Sequence, residues 1–223
     1  RVRRARCSSN ASASPSPLAV AFSIASRSAR TSASRRLGSE GGMAKPKVAT
    51  TSLCGCFGCH MSLLDIDERI LQLVDLVEFD RSPIDDIKRI EGHVDIGLIE
   101  GGCANEENVH VLREFREHCK VLVSVGDCAI GGGVPAMRNM IPLSECFDEA
   151  YLHGPTVWNK RAAIPKDAEI PQLLDKVYPA HEVVRIDDHL PGCPPSADAL
   201  WEALTALLEN RPIALPYALV KYD

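Results

Sequence analysis

The residues in this chain that could do the most chemistry are its cysteines. Nine occur in 223 residues. Cys54, Cys56 and Cys59 crowd together, whereas Cys103, Cys128 and Cys193 follow singly, far apart. Glycines accompany them: Gly55 and Gly58, then Gly126 and Gly131–Gly133, then Gly192. Small residues let a backbone approach a bulky inorganic core and aim N–H groups at it. A zinc ribbon needs two CxxC pairs close in sequence, and only Cys56 and Cys59 form one. A thioredoxin-like redox pair uses the CxxC alone and leaves Cys128 and Cys193 unexplained. An iron–sulfur cluster takes four thiolates and tolerates wide spacing if the fold gathers them.

The surrounding sequence supplies elements that could do the gathering. Lys47–Leu53, Leu76–Phe79, Val94–Ile99 and Val121–Val125 read as short apolar strands, and Val183–Ile186 as a weaker fifth. Between them lie helical patterns. The first is expected to start at a Ser62 cap, with Leu63, Ile66, Ile70, Leu73 and Val74 on one face. Asn105–His118 carries Val109, Leu112 and Phe115 inward. A last helix from Ser196 aligns Leu200, Leu204, Leu207 and Leu208. Strand and helix in alternation predict an α/β fold, a parallel sheet with helices on both faces. Every cysteine-bearing turn then falls at the carboxyl edge of the sheet, where open α/β folds bind ligands. Residues 140–180, broken by five prolines, show no readable pattern.

Composition bounds the remaining possibilities. The net charge of -5 argues against a nucleic-acid binder, and no apolar run is long enough to span a bilayer. Charge is unevenly spread. Residues 1–42 hold eight arginines and one acid, with many Ser and Ala. Such a head cannot bury enough apolar surface to order itself, so disorder is expected there. It reads either as a targeting peptide or as mistranslated upstream sequence, the latter preferred because Met43 opens MAKPKVATTSL like a natural start. The expected domains are therefore a head over 1–42 and one folded domain over 43–223. Cys7 belongs to the head and receives no role.

Together the motifs carry a resemblance. CxxC after the first strand, Glu100-Gly101 after the third, GDC at Gly126–Cys128 before the glycine run, and PGCPP at Pro191–Pro195 resemble the small subunit of nickel–iron hydrogenases. CGCFGCHMSLLDIDE at Cys54–Glu68 is similar to the cytoplasmic, bidirectional, NAD-reducing members. The resemblance implies a flavodoxin-like, doubly wound domain with a single 4Fe–4S cluster at the carboxyl strand edge. By motif position its ligands are Cys56, Cys59, Cys128 and Cys193. It further implies a large-subunit partner that carries the nickel–iron centre, and diaphorase subunits with FMN and iron–sulfur clusters that reduce NAD in the cytoplasm. No catalytic residue is implied in this chain. Residues 194–223 contain no Cys or His, so the extra clusters of longer family members have no ligands here.

Glu100, at the same strand edge, could support a loop or sit in a proton path, with loop support preferred. Cys54 and Cys103 are expected as buried small hydrophobes, Cys119 and Cys146 as packing residues. Met137 and Met140 are expected to fill gaps, and most of the seven histidines to be surface or capping residues. Three rivals stay open. One is another soluble hydrogenase of the sulfhydrogenase type. A second is the cluster-bearing subunit of a quinone oxidoreductase, although those carry adjacent cysteines in place of the spaced pair. The third is a non-catalytic, flavin-binding electron carrier. Cys54–Cys59 occupies the loop that cradles phosphate in flavodoxins, which disfavours FMN as sole cofactor and leaves only a second FMN site open.

Overall fold

The computed structural model describes residues 44–158 and 163–220. The Arg-rich head, with Cys7, lies outside the described residues. Strand β1 (Lys47–Ser52) leads through a cysteine-bearing loop into α1 (Gly58–Leu64) and α2 (Arg69–Leu76), then β2 (Glu78–Phe79) and β3 (Val94–Glu100). A short β4 (Cys103–Asn105) precedes α3 (Glu106–His118), β5 (Cys119–Val125) and α4 (Asp127–Gly131). After α5 (Leu143–Phe147) come β6 (Leu173–Tyr178), α6 (Ala180–Val183), β7 (Asp188–Leu190) and α7 (Ala197–Leu208).

The main sheet runs β2-β1-β3-β5-β7, and every pair in it is parallel. That is the flavodoxin-like strand order, as the resemblance implied. Alternating side chains feed two apolar layers. Val48, Ile96, Leu98, Val123 and Val125 pack with Leu63, Ile66, Leu73, Leu200 and Leu204 from α1, the turn after it, α2 and α7. Ala49, Ile99 and Leu122 pack with Leu112 and Phe115 of α3 on the opposite face. Burial on both faces is why the strands read as unbroken apolar runs.

Side-chain caps mark the starts of the two longest helices. Asn105 accepts the N–H of Asn108 and caps α3, while Ser196 accepts that of Ala199 and caps α7. Such caps each contribute about 1 kcal/mol.

Several expectations need correction. Ser62 caps nothing; it lies inside α1, buried, and donates to the carbonyl of Pro195. The run expected as one helix is two, with a turn at 65–68, and Val74 is 44% exposed. The last strand is Asp188–Leu190, because Ala180–Val183 folds as a helical turn capping the lower layer. Met137 and Met140 fill no gap: they are 70% and 89% exposed on a 3-10 segment over Val134–Met140. Within the unreadable stretch, β6 pairs antiparallel with β4 as a separate two-stranded sheet. β4 is too short to show a periodic signal, and β6 (LLDKVY) does not alternate apolar with polar residues.

Candidate metal centre

Parallel pairing puts the ends of β1, β3, β5 and β7 side by side, and each end opens into a loop that carries cysteine. Cys54, Cys56 and Cys59 follow β1, Cys103 starts β4 just beyond β3, Cys128 follows β5, and Cys193 follows β7. Short backbone bonds sew these loops in pairs. Cys54 and Gly102 exchange N–H···O bonds of 2.9 and 2.8 Å. On the other side Gly126 donates to Leu190 at 2.8 Å and Asp127 to Gly192 at 3.0 Å. The Asp127 carboxylate returns the link by accepting the Gly192 N–H at 3.2 Å.

Gly126 is where the two halves close. Its φ is +81°, and a Cβ there would collide with the Cys59 thiol and lie 3.3 Å from the Gly192 carbonyl. Only glycine lets α1, the β5 turn and the β7 loop approach this closely. Gly133, at φ +49°, makes the matching approach to the Cys128 sulfur, where a Cβ would sit 2.9 Å away.

The four ligand candidates therefore face one region. Cys56 and Cys193 are exposed, whereas Cys59 and Cys128 are half-buried against the sheet. Burial pushes the Cys59 thiol far above the ordinary thiol range, and Glu100, Cys128, Cys56 and Cys193 each add repulsion. Burial likewise raises Cys128, partly offset by the Val134 N–H, with Cys193 and Cys56 again adding repulsion. Buried thiols such as Cys59 and Cys128 ionise readily beside a cationic core, which a cluster of four irons would supply. Among the described residues no three His, Cys, Asp or Glu side chains lie within reach of a single metal ion.

Of the remaining cysteines, Cys103 and Cys119 pack in one apolar layer as expected, whereas Cys54 and Cys146 do not join either layer. Cys103 and Cys119 are buried, and Cys54 and Cys146 are half-buried. Glu100 is 3% exposed and turns toward α1, where its carboxylate accepts the N–H of Cys59 and of His60, each at 3.2 Å. These two donors would otherwise be unpaired at the helix start.

One residue of the site escaped sequence reasoning. His60, expected on the surface or at a cap, is 4% exposed. Its Nδ1 meets the Glu100 carboxylate, and its Nε2 lies 3.0 Å from the Thr50 hydroxyl. Thr50 in turn pairs with Ser82 at 2.9 Å. The one available hint was its position directly after the CxxC.

No helix among the described residues is long and apolar enough to cross a membrane. Comparison with known proteins agrees with the geometry. A family profile described as NADH ubiquinone oxidoreductase, 20 Kd subunit, matches residues 56–207. The delta subunit of the NAD-reducing hydrogenase HoxS from Cupriavidus necator is 49% identical over 180 residues, covering 80% of this chain and 86% of that one. A subunit of the F420-non-reducing hydrogenase from Methanothermobacter thermautotrophicus is 40% identical, covering 77% of this chain and 56% of that one. A chain in the crystal structure of an NAD+-reducing [NiFe]-hydrogenase in the H2-reduced state superposes with a TM-score of 0.77 at 47% identity, covering 80% of this chain and 99% of that one. By profile, identity and shape, this chain belongs to the NADH ubiquinone oxidoreductase 20 Kd subunit family, among its nickel–iron hydrogenase small subunits.

Proposed function

We infer that this chain is the electron-transferring small subunit of a soluble NAD-reducing nickel–iron hydrogenase, holding one 4Fe–4S cluster on Cys56, Cys59, Cys128 and Cys193. The observation that supports the reading is the convergence of three cysteine-bearing loops at one sheet edge, sewn together around Gly126. The high identity to a HoxS delta subunit supports it.

When bound, the cluster accepts and releases electrons singly. The chain's own residues provide its cage. Cys59 and Cys128 anchor the sheet-facing side, and Cys56 and Cys193 close the exposed side. Glu100 acts as loop support by holding the amides that follow Gly58. The partners this reading requires are a large subunit, whose nickel–iron centre splits hydrogen, and diaphorase subunits with FMN and iron–sulfur clusters, where NAD is reduced. The complex works in the cytoplasm. Its functional domain is the segment 43–223, and the head over 1–42 supplies no cluster ligand. An FMN bound to this chain would need a place away from the Cys54–Cys59 loop.

The test is anaerobic purification of the full chain with its large subunit. About four acid-labile sulfides per copy are expected, as four-cysteine cubane ligation requires. Zinc without sulfide would discard the reading.

A further inference from the structure

Four polar side chains run in a line beneath the Cys56–Cys59 loop, all of them buried: Ser82, Thr50 of β1, His60 of α1 and Glu100 of β3. Each buried polar group left without a partner would cost about 1–3 kcal/mol. None is left so. His60 is held at both ring nitrogens, Nδ1 against the Glu100 carboxylate and Nε2 against the Thr50 hydroxyl. Thr50 pairs in turn with Ser82, whose oxygen also accepts the Ile84 N–H at 3.2 Å. The line is thus continuous from Ser82 to Glu100.

Two consequences reach the cluster loop. The first is conformational. Phe57, between the paired cysteines, has φ +67°, a left-handed conformation that costs a bulky residue about 1–2 kcal/mol. Its ring stacks on that of His60 with centroids 4.6 Å apart and planes 7° apart. His60 cannot turn without breaking bonds on both nitrogens, so the stack holds Phe57 in place. The second is electrostatic. The N–H groups of Cys59 and His60 end on Glu100, so they are not free to face cluster sulfides, and a carboxylate lies directly beneath Cys59. Fewer donors to sulfur disfavour an added electron.

We propose that His60 is a positioning residue that fixes Glu100 beneath the loop, so that Glu100 draws two amides away from the cluster and keeps its reduction potential low. This rests on the cluster reading above. Within it, Glu100 sets the potential and His60 sets the geometry of Glu100 and Phe57.

The test uses the full chain in complex with its large subunit, with sulfide content and the cluster midpoint potential read by EPR-monitored titration. Glu100→Gln keeps the cluster and favours its reduced form by about tenfold, an upward shift of about 59 mV for one electron. His60→Ala shifts the potential the same way and lowers sulfide content. Phe57→Gly placed on top restores the sulfide but not the potential, because glycine needs no stack to hold φ above zero. His60→Asn, which retains a donor toward Glu100, keeps the wild-type potential. Should His60→Ala fail to fold, Thr50→Val takes its place with a smaller upward shift. A full cluster at the wild-type potential in both Glu100→Gln and the His60 or Thr50 variant overturns this proposal alone. A wild-type complex lacking sulfide overturns it together with the cluster reading.

Discussion

Two loops at the same sheet edge present thiols in opposite ways. The loop after β1 holds Cys56 and Cys59 by side chains reaching in from elsewhere: Glu100 from β3, Thr50 from β1 and the ring of His60. The loop after β5 holds Cys128 mainly by backbone, with one side-chain link where the Asp127 carboxylate accepts the Gly192 N–H. Gly126, Gly132 and Gly133 all have positive φ, and the bonds to Leu190 and Gly192 run through peptide groups. Beyond it the chain presents Val134, Met137, Met140 and Ile141 to solvent. One ligand site is thus fixed by buried polar partners and the other by conformations that only glycine adopts cheaply. A polar clamp can carry charge to the cluster, whereas a glycine turn contributes mainly closeness.

The largest expected effect comes from removing a sulfur of either loop. Cys59→Ser and Cys128→Ser should each abolish the labile sulfide of the purified complex, and Cys193→Ser likewise. Cys119→Ser, in a buried position of β5 away from the loops, should leave it intact. Equal loss at Cys119 and Cys193 would mean that the ligand set is misplaced. The next effect separates closeness from backbone strain. Gly126→Ala meets both a positive φ and the Cys59 sulfur, while Gly92→Ala has a positive φ with open space around it. Gly92→Ala should lose about 1–2 kcal/mol in denaturant titrations and Gly126→Ala more, and only Gly126→Ala should lose sulfide. Sulfide retained in both would break the claim that Gly126 closes the cage.

A smaller effect concerns pH and lies off the site. Burial alone would raise the Asp80 carboxyl, but the N–H groups of Arg81 and Glu91 and the Lys47 ammonium outweigh it and hold it below the usual carboxylate range. A lowered folded pKa means that its stabilisation is complete above the unfolded value, about 3.9. That stabilisation fades as pH falls through the folded value. Asp80→Asn should flatten the acid limb of the stability profile below about pH 4 without altering sulfide content. The smallest change is expected on the exposed segment. Met137→Ala with Met140→Ala should alter the unfolding free energy of this chain by no more than about 0.5 kcal/mol. A larger loss would show that these side chains pack within the fold after all.

The legible part of the site was its ordered set of motifs. A CxxC after the apolar β1 and a glycine-flanked Cys128 after the apolar β5 stood next to local strand signals, whereas the Pro-flanked Cys193 rested on the resemblance alone, since its strand, Asp188–Leu190, carries no apolar run. The same logic placed α3 and α7, where cap and periodicity agree. It failed where a local signal had a different cause. Ser62 looked like a cap because acids follow it, yet its hydroxyl serves a long-range bond to Pro195. The exposed methionines looked like core because residue type alone carries no direction.

The amino-acid sequence by itself determined which atoms are available for a cluster and the order of strands that delivers them, since apolar runs and helical periods are written in neighbouring residues. Only the tertiary structure decided what lies under the cluster loop. The partnership of Glu100, His60, Thr50 and Ser82 joins residues from three elements and a loop, and the pairing of β4 with β6 spans most of the unreadable stretch. Hydrogen bonds between distant buried side chains leave no period in the sequence, because each depends on where folding brings its partner.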